Sequence, residues 1–281
     1  MMRRLLHDWL PPAISRFLRR LRRGKQEPEW QVAPDGWTTP TRGWNVESVA
    51  AVQARRWPAY IDAIAGTRPL TIPHETDTGH MVDITGHNAA MMLGYVLLLV
   101  SGNAKELSVL DWGGGLGHYA ALAKALAPGI AFDYSIWDVP LLTAAGRATQ
   151  QDVRFIESRD DALARRYDLV IASSSLWYES DWRSVAADLA RCGDYVYLTR
   201  MAFVSNTQSF TAIQRPVRGA SYMTEYICWI FNRDEFVSHL AGCGLELVRE
   251  FLMEDGPVIG GAGEQPVYRG FLFRRRETSR A

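Results

Sequence analysis

The sequence predicts an α/β protein built on a doubly wound, mostly parallel sheet of seven strands, with a helical N-terminal extension. Three observations carry this. Seven short apolar segments recur, at about 109–111, 130–137, 153–156, 167–172, 195–199, 245–252 and 267–274, and helical patterns separate most of them. The first segment runs into a glycine-rich corner that opens a helix. Polar residues stand at the carboxyl ends of five segments, Asp111, Asp138, Glu157, Ser173 and Arg200, which is where ligands bind in such sheets.

At 281 residues and 47% hydrophobic content the chain is long and apolar enough for a full core. Its neutral net charge hides an asymmetry. Residues 1–25 hold eight Arg or Lys against one acid, net +7, and leave the body at −7. An acidic body argues against a nucleic-acid surface. Cys192, Cys228 and Cys243 are widely spaced, form no C-x-x-C, and read as buried thiols in a reducing compartment.

The organisation expected is a basic amphipathic segment (1–25), a helical, aromatic-rich cap (26–104) and a ligand-binding domain (105–281). In the first segment, Pro12 suits a helix start. Ile14, Phe17, Leu18 and Leu21 then fall at i, i+3, i+4 and i+7 among arginines. Such a helix can rest on an anionic membrane face or dock on its own domain. Arg16, Arg19 and Arg20 interrupt any secretory signal, so the expected location is the cytoplasm, with peripheral membrane contact as an option. In the cap, a helix from about Glu47 is expected to stop near Trp57, ahead of Pro58. Trp30, Trp37, Trp44 and Trp57 suit a core edge or a substrate lid. The run 89–100 is too short to span a bilayer easily and reads as a buried helix.

The corner is Asp111-Trp-Gly113-Gly-Gly115-Leu-Gly117-His118, an acid followed by glycines at alternate positions. Glycine lets a ligand lie against backbone. The dinucleotide fingerprint G-x-G-x-x-G fails in this register, because its third glycine falls on His118. A carboxylate there repels a pyrophosphate and attracts a cation. S-adenosylmethionine, with its ammonium and sulfonium, fits that requirement.

At these residues the sequence resembles the class I S-adenosylmethionine-dependent methyltransferases, whose sheet is Rossmann-like. The resemblance implies that Asp111, Gly113, Gly115 and Gly117 meet the methionine end, and that Asp138, with Val139 beside it, holds the ribose. It also implies adenine contacts near Glu157 and further cofactor contact at Ser173. Asp138 also suits a helix cap before Val139-Pro140, and the two roles can coexist.

A narrower resemblance is to a largely uncharacterised methyltransferase family encoded among bacterial surface-polysaccharide genes. It rests on Gly43-Trp-Asn45, 109–117, Asp138-Val-Pro140, Ala172-Ser-Ser-Ser-Leu-Trp-Tyr178, Arg200, 229–236 and Tyr268-Arg-Gly-Phe-Leu-Phe273. Two departures stand out: Asp138 where that family has Glu, and Met201-Ala202-Phe203 where a proline is common. The resemblance implies the cofactor and the reaction type and does not supply the acceptor; the function expected is methyl transfer to a small-molecule or glycan-precursor acceptor.

Candidates for proton handling are His118, His87 and, more remotely, His74 and His80, whose spacing matches no zinc signature. No metal is expected. Tyr178 can border the acceptor or simply pack. Arg200 can bind an anionic acceptor or form a structural ion pair. Two rival functions stay open: an NAD(P)-dependent oxidoreductase, and a non-catalytic binding protein on the same fold. The sequence does not specify an oligomeric state.

Overall fold

The computed structural model describes residues 28–38, 41–70, 84–216 and 224–276. Residues 1–25, with their expected amphipathic helix, and His74 and His80 lie outside these.

The described chain begins with a short strand, β1 (Trp30–Val32), a 3-10 turn (Gly36–Thr38) and two long helices, α1 (Glu47–Ala65) and α2 (Ile84–Ser101). The alternating region follows: β2 (Glu106–Trp112), α3 (His118–Leu126), β3 (Ala131–Trp137), α4 (Pro140–Thr149), β4 (Arg154–Ile156) and α5 (Arg159–Leu163). Then come β5 (Tyr167–Ser173), a 3-10 turn (Leu176–Tyr178), α6 (Trp182–Cys192) and β6 (Gly193–Val204). β7 (Phe210–Gln214), β8 (Tyr226–Asn232), α7 (Arg233–Gly242), β9 (Leu245–Asp255) and β10 (Val267–Arg275) complete it.

The seven expected strands form the central sheet in the order β4-β3-β2-β5-β6-β10-β9. All pairs are parallel except those of β10, which runs antiparallel to both neighbours. The chain leaves β2 toward β3 and β4, then returns to β5 on the other side. The crevice between the ends of β2 and β5 is therefore the switch point at which such sheets bind ligands.

Three further strands were not expected. β1, β7 and β8 extend the sheet through an antiparallel set, joined to β6 at Phe203↔Phe231 and Val204↔Asn232. This is possible because β6 does not stop near residue 199 as expected but runs to Val204.

Each face of the sheet is covered by its own core. On one side α2 and α3 bury Leu93, Val96, Leu97, Leu122 and Ala123 against Val109, Leu169, Ile171 and Leu272. On the other, α6 and α7 bury Trp182, Leu189, Phe236 and Leu240 against Leu110, Val170, Leu198 and Phe271. Each such large side chain stabilises the fold by roughly 1.5–3 kcal/mol relative to exposure. The run 89–100 is the helical segment expected, although Leu98 on its outer face is 72% exposed.

α1 departs from its expected end: it passes through Pro58 and continues to Ala65. Val49, Val52, Trp57 and Tyr60 bury one face against Leu116, Leu142 and Tyr226. Trp57 and Tyr60 flank Pro58, and their burial outweighs the lost hydrogen bond, which an exposed proline concedes to water. The cap region is built into the same body, since β1 pairs with β7 and α1 lies over α3 and α4.

Among the described residues no helix is long and apolar enough to cross a membrane, and no cluster of His, Cys, Asp or Glu is arranged to hold a metal.

Candidate active site

Above the β2–β5 crevice lies a cavity of about 660 Å³, within the range of about 300–1,000 Å³ usual for small-molecule sites. Its floor is the glycine corner. Gly113 and Gly115 have left-handed backbones, φ 73° and 57°. The corner is also too tight for side chains: a Cβ on Gly113 would lie 2.3 Å from Ser175 Cβ, and one on Gly114 2.6 Å from Asp111 Cγ. Backbone is thus the only surface this loop presents.

Asp111, at the end of β2, is buried at 1% exposure. Its Oδ2 accepts a hydrogen bond from the Tyr134 hydroxyl at 3.1 Å, while Oδ1 is buried without a partner. Desolvation, opposed by the Tyr134 bond, pushes its pKa up to about 7. A second buried acceptor without a partner, Gln53 Oε1, comes from α1 and meets the loop at Gly115. Two orphaned acceptors, one on each side of a glycine loop, suit a cationic group and leave no place for a pyrophosphate.

Asp138, at the end of β3, clasps the loop. Its Oδ2 accepts from Gly115 N and its Oδ1 from Val139 N, both at 2.6 Å. Burial raises its pKa to about 6 against the pull of those two amides. The side chain does not cap α4; the carboxylate instead ties the loop to the neighbouring strand end. Trp137, just before it, stacks on Trp112 with ring centroids 3.9 Å apart.

The opposite wall comes from β5, β6 and the N-terminal region. Ser173 donates to the Tyr119 hydroxyl at 2.8 Å. His118 is wedged between the rings of Trp57 and Tyr60, at 5.1 and 4.9 Å, and its carbonyl accepts from the Tyr60 hydroxyl. Desolvation first, and the Arg200 guanidinium second, lower its pKa to about 4. The imidazole is therefore neutral at pH 7 and keeps a lone pair. Trp44 stacks on Tyr226 at 4.2 Å, with Tyr178 at their edge.

Asp111, Gly113, Gly115, His118, Asp138, Val139, Ser173, Tyr178 and Arg200 all line this cavity. Three expected residues do not. Gly117 sits at the start of α3, where a Cβ would meet the Gln150 side chain, so it is a packing glycine. Glu157 is exposed and paired with Arg147. The His87 ring bonds the Leu70 carbonyl at 2.7 Å, on α2 and away from the cavity. Gln53 and Arg56 were missed, because the packing of α1 on Leu116, Leu142 and Tyr226, which lays this face over the loop, has no local signal in the sequence.

A family model described as a methyltransferase domain matches residues 86–250. That is more than half of the chain, and the chain belongs to this family. The match begins inside α2, ahead of the expected boundary at residue 105. No curated protein matches the chain. Similar solved structures include an S-adenosylmethionine-dependent methyltransferase from Clostridium acetobutylicum, 11% identical over 70% of this chain and 93% of that one, TM-score 0.45. The N-terminal domain of EvdMO1 with S-adenosylhomocysteine bound is 14% identical over 79% and 97%, TM-score 0.48. The 1,6-didemethyltoxoflavin-N1-methyltransferase of Burkholderia thailandensis is 15% identical over 85% and 93%, TM-score 0.46.

Proposed function

We propose that the protein transfers the methyl group of S-adenosylmethionine to a small-molecule or glycan-precursor acceptor. The observation that carries this reading is Asp111, a buried carboxylate with one unpartnered oxygen at the floor of a glycine loop. Such a group is costly unless a cation meets it, and the donor's ammonium is that cation. Bound there, the cofactor supplies a methyl already activated by a sulfonium.

The chain's residues do the rest. Asp111 and Gln53 would hold the ammonium, and Arg56 would hold the methionine carboxylate. Asp138 fixes the loop through Gly115 and would accept from the ribose hydroxyls. Trp44, Tyr178 and Tyr226 orient the acceptor and exclude water, which for an activated donor supplies much of the acceleration. His118, rigidly held between Trp57 and Tyr60, presents a neutral imidazole to the acceptor side of the cavity. The glycan-precursor assignment draws on the sequence resemblance.

Calorimetry with S-adenosylmethionine and S-adenosylhomocysteine tests the reading. Binding by the wild type and its loss in Asp111→Ala are expected; absence of binding by the wild type rejects it.

A further inference from the structure

Among the described residues only two non-glycines have left-handed backbones, Ser174 at φ 52° and Arg200 at φ 58°, and they lock each other. The Ser174 hydroxyl donates to the Arg200 carbonyl at 2.8 Å, and Ser174 N donates to the Thr199 carbonyl at 2.9 Å. Arg200 also sits at a break in strand register. Leu198 pairs with Phe271 and Met201 with Arg269, so Thr199 and Arg200 together face the single residue Gly270. This is a β-bulge, and a Cβ on Gly270 would lie 2.7 Å from Thr199 Oγ1. Bulges re-aim side chains beside active sites, and the left-handed position in one is ordinarily glycine. Here the position holds an arginine, and surrounding bonds over-determine its strained backbone.

The bulge brings Arg200 to the cavity wall, where its charge acts on the Tyr119 phenol and on His118. Arg215, from the end of β7, lines the same region and is shared with Glu225 at 3.8 Å. Glu29 and Glu179 also line the cavity, but Glu179 accepts from the Trp112 indole at 3.3 Å. The two buried acids Asp111 and Asp138 are committed to the glycine loop. The cavity thus holds two buried acids at the glycine loop and, elsewhere on its wall, an arginine whose backbone the bulge fixes.

We propose that Arg200 is the acceptor-recognition residue, and that the methyl acceptor is an oxyanion, a phosphate or carboxylate compound, seated on its guanidinium. A planar fork suits either group. The proposal deepens the methyl-transfer reading and rests on it.

The test uses full-length protein saturated with S-adenosylhomocysteine, titrated calorimetrically with inorganic pyrophosphate in one arm and malonate in the other. The variants are Arg200→Gly, which suits the left-handed backbone, and Arg200→Lys, which keeps the charge without the fork. The wild type is expected to bind at least one probe, the arm that responds giving the class of anion. Arg200→Gly should bind it about tenfold or more weakly and Arg200→Lys in between, with S-adenosylhomocysteine affinity unchanged in both. Should Arg200→Gly not fold, Arg200→Lys alone carries the comparison. Binding of neither probe by the wild type overturns the proposal, as does equal binding by the variants. Loss of S-adenosylhomocysteine affinity in the variants also overturns it and gives Arg200 to the cofactor. Failure of the wild type to bind S-adenosylhomocysteine is a separate result, which removes the methyl-transfer reading itself.

Discussion

Asp111→Asn should make the free protein more stable and the cofactor complex weaker. Asp111 is buried with one oxygen unpartnered, and burial lifts its pKa from 3.8 to about 7. At 1.36 kcal/mol per tenfold change in proton affinity, that gap is about 4 kcal/mol. Water reaching the cavity screens the charge, so about 2–4 kcal/mol is the expected range. The sign follows from linkage. Between about pH 4 and pH 7 the folded protein keeps a proton that the unfolded chain has released. Wild-type stability therefore falls as pH rises through that window and levels off above it. Asp138, raised to about 6, adds a smaller slope of the same sign. Asparagine is never charged, so the variant should match the wild type at about pH 4 and below and exceed it increasingly up to about pH 8, by roughly 4–10 °C in Tm there for a chain of this size. The same substitution removes a charge-assisted bond to the cofactor, about 1.5–3 kcal/mol, or about 10- to 150-fold in affinity. Scanning calorimetry of the free protein at both pH values, with S-adenosylhomocysteine titrations near pH 8, reads both effects. A variant no more stable than the wild type near pH 8, or one that binds the ligand equally well, refutes the reasoning.

Other perturbations separate scaffold from site. Pro58→Ala restores a donor for the Ala54 carbonyl inside α1 and should raise stability, by up to about 3 kcal/mol in denaturant unfolding; a loss of stability contradicts this account of α1. Gly146→Ala places a Cβ 2.2 Å from the Phe155 ring, so unfolding experiments should show a loss of about 1–3 kcal/mol with cofactor affinity intact. His118→Gln removes a ring wedged between Trp57 and Tyr60, so unfolding experiments should show a loss of about 1–3 kcal/mol. Because the His118 pKa lies at about 4, its protonation cannot account for any activity loss seen above about pH 6. Deleting residues 1–25, net +7, should reduce pelleting with anionic vesicles and leave pelleting with neutral vesicles unchanged; equal pelleting of both proteins with anionic vesicles counts against membrane contact.

The sheet and the glycine-loop floor of the cavity were legible in the sequence because both are local. Apolar segments of strand length, punctuated by glycine and acid, predict β2 through β5 with small errors in their ends, whereas β6 outruns its expected end by five residues. Asp111 and Asp138 fall at those ends by position alone. What could not be read depended on contacts far apart in the chain. Gln53 reaches Gly115 because Val49, Val52, Trp57 and Tyr60 pack α1 against Leu116, Leu142 and Tyr226. Trp44 finds Tyr226, and β1 finds β7, across about 180 residues. Glu157 misled because a strand end marks a place and not a direction: the side chain turns outward to Arg147. His87 misled because it lies close in sequence to the first strand of the alternating region yet on a helix facing elsewhere.

Strand β6 has one more consequence. Up to Thr199 it is hydrogen-bonded to β5 and belongs to the sheet that carries the glycine loop; at Phe203 and Val204 it is bonded to β8 instead. Arg200 marks the changeover. The β8-β7-β1 set hangs from the rest of the sheet by those two residue pairs, and through Trp30, Gln214, Tyr226 and Ile227 it supplies a wall of the cavity. The glycine loop and this wall of the cavity thus stand on two strand sets spliced at one bulge, and the wall could be exchanged after Val204 without touching the loop. For protein engineering, that joint is the natural place to graft.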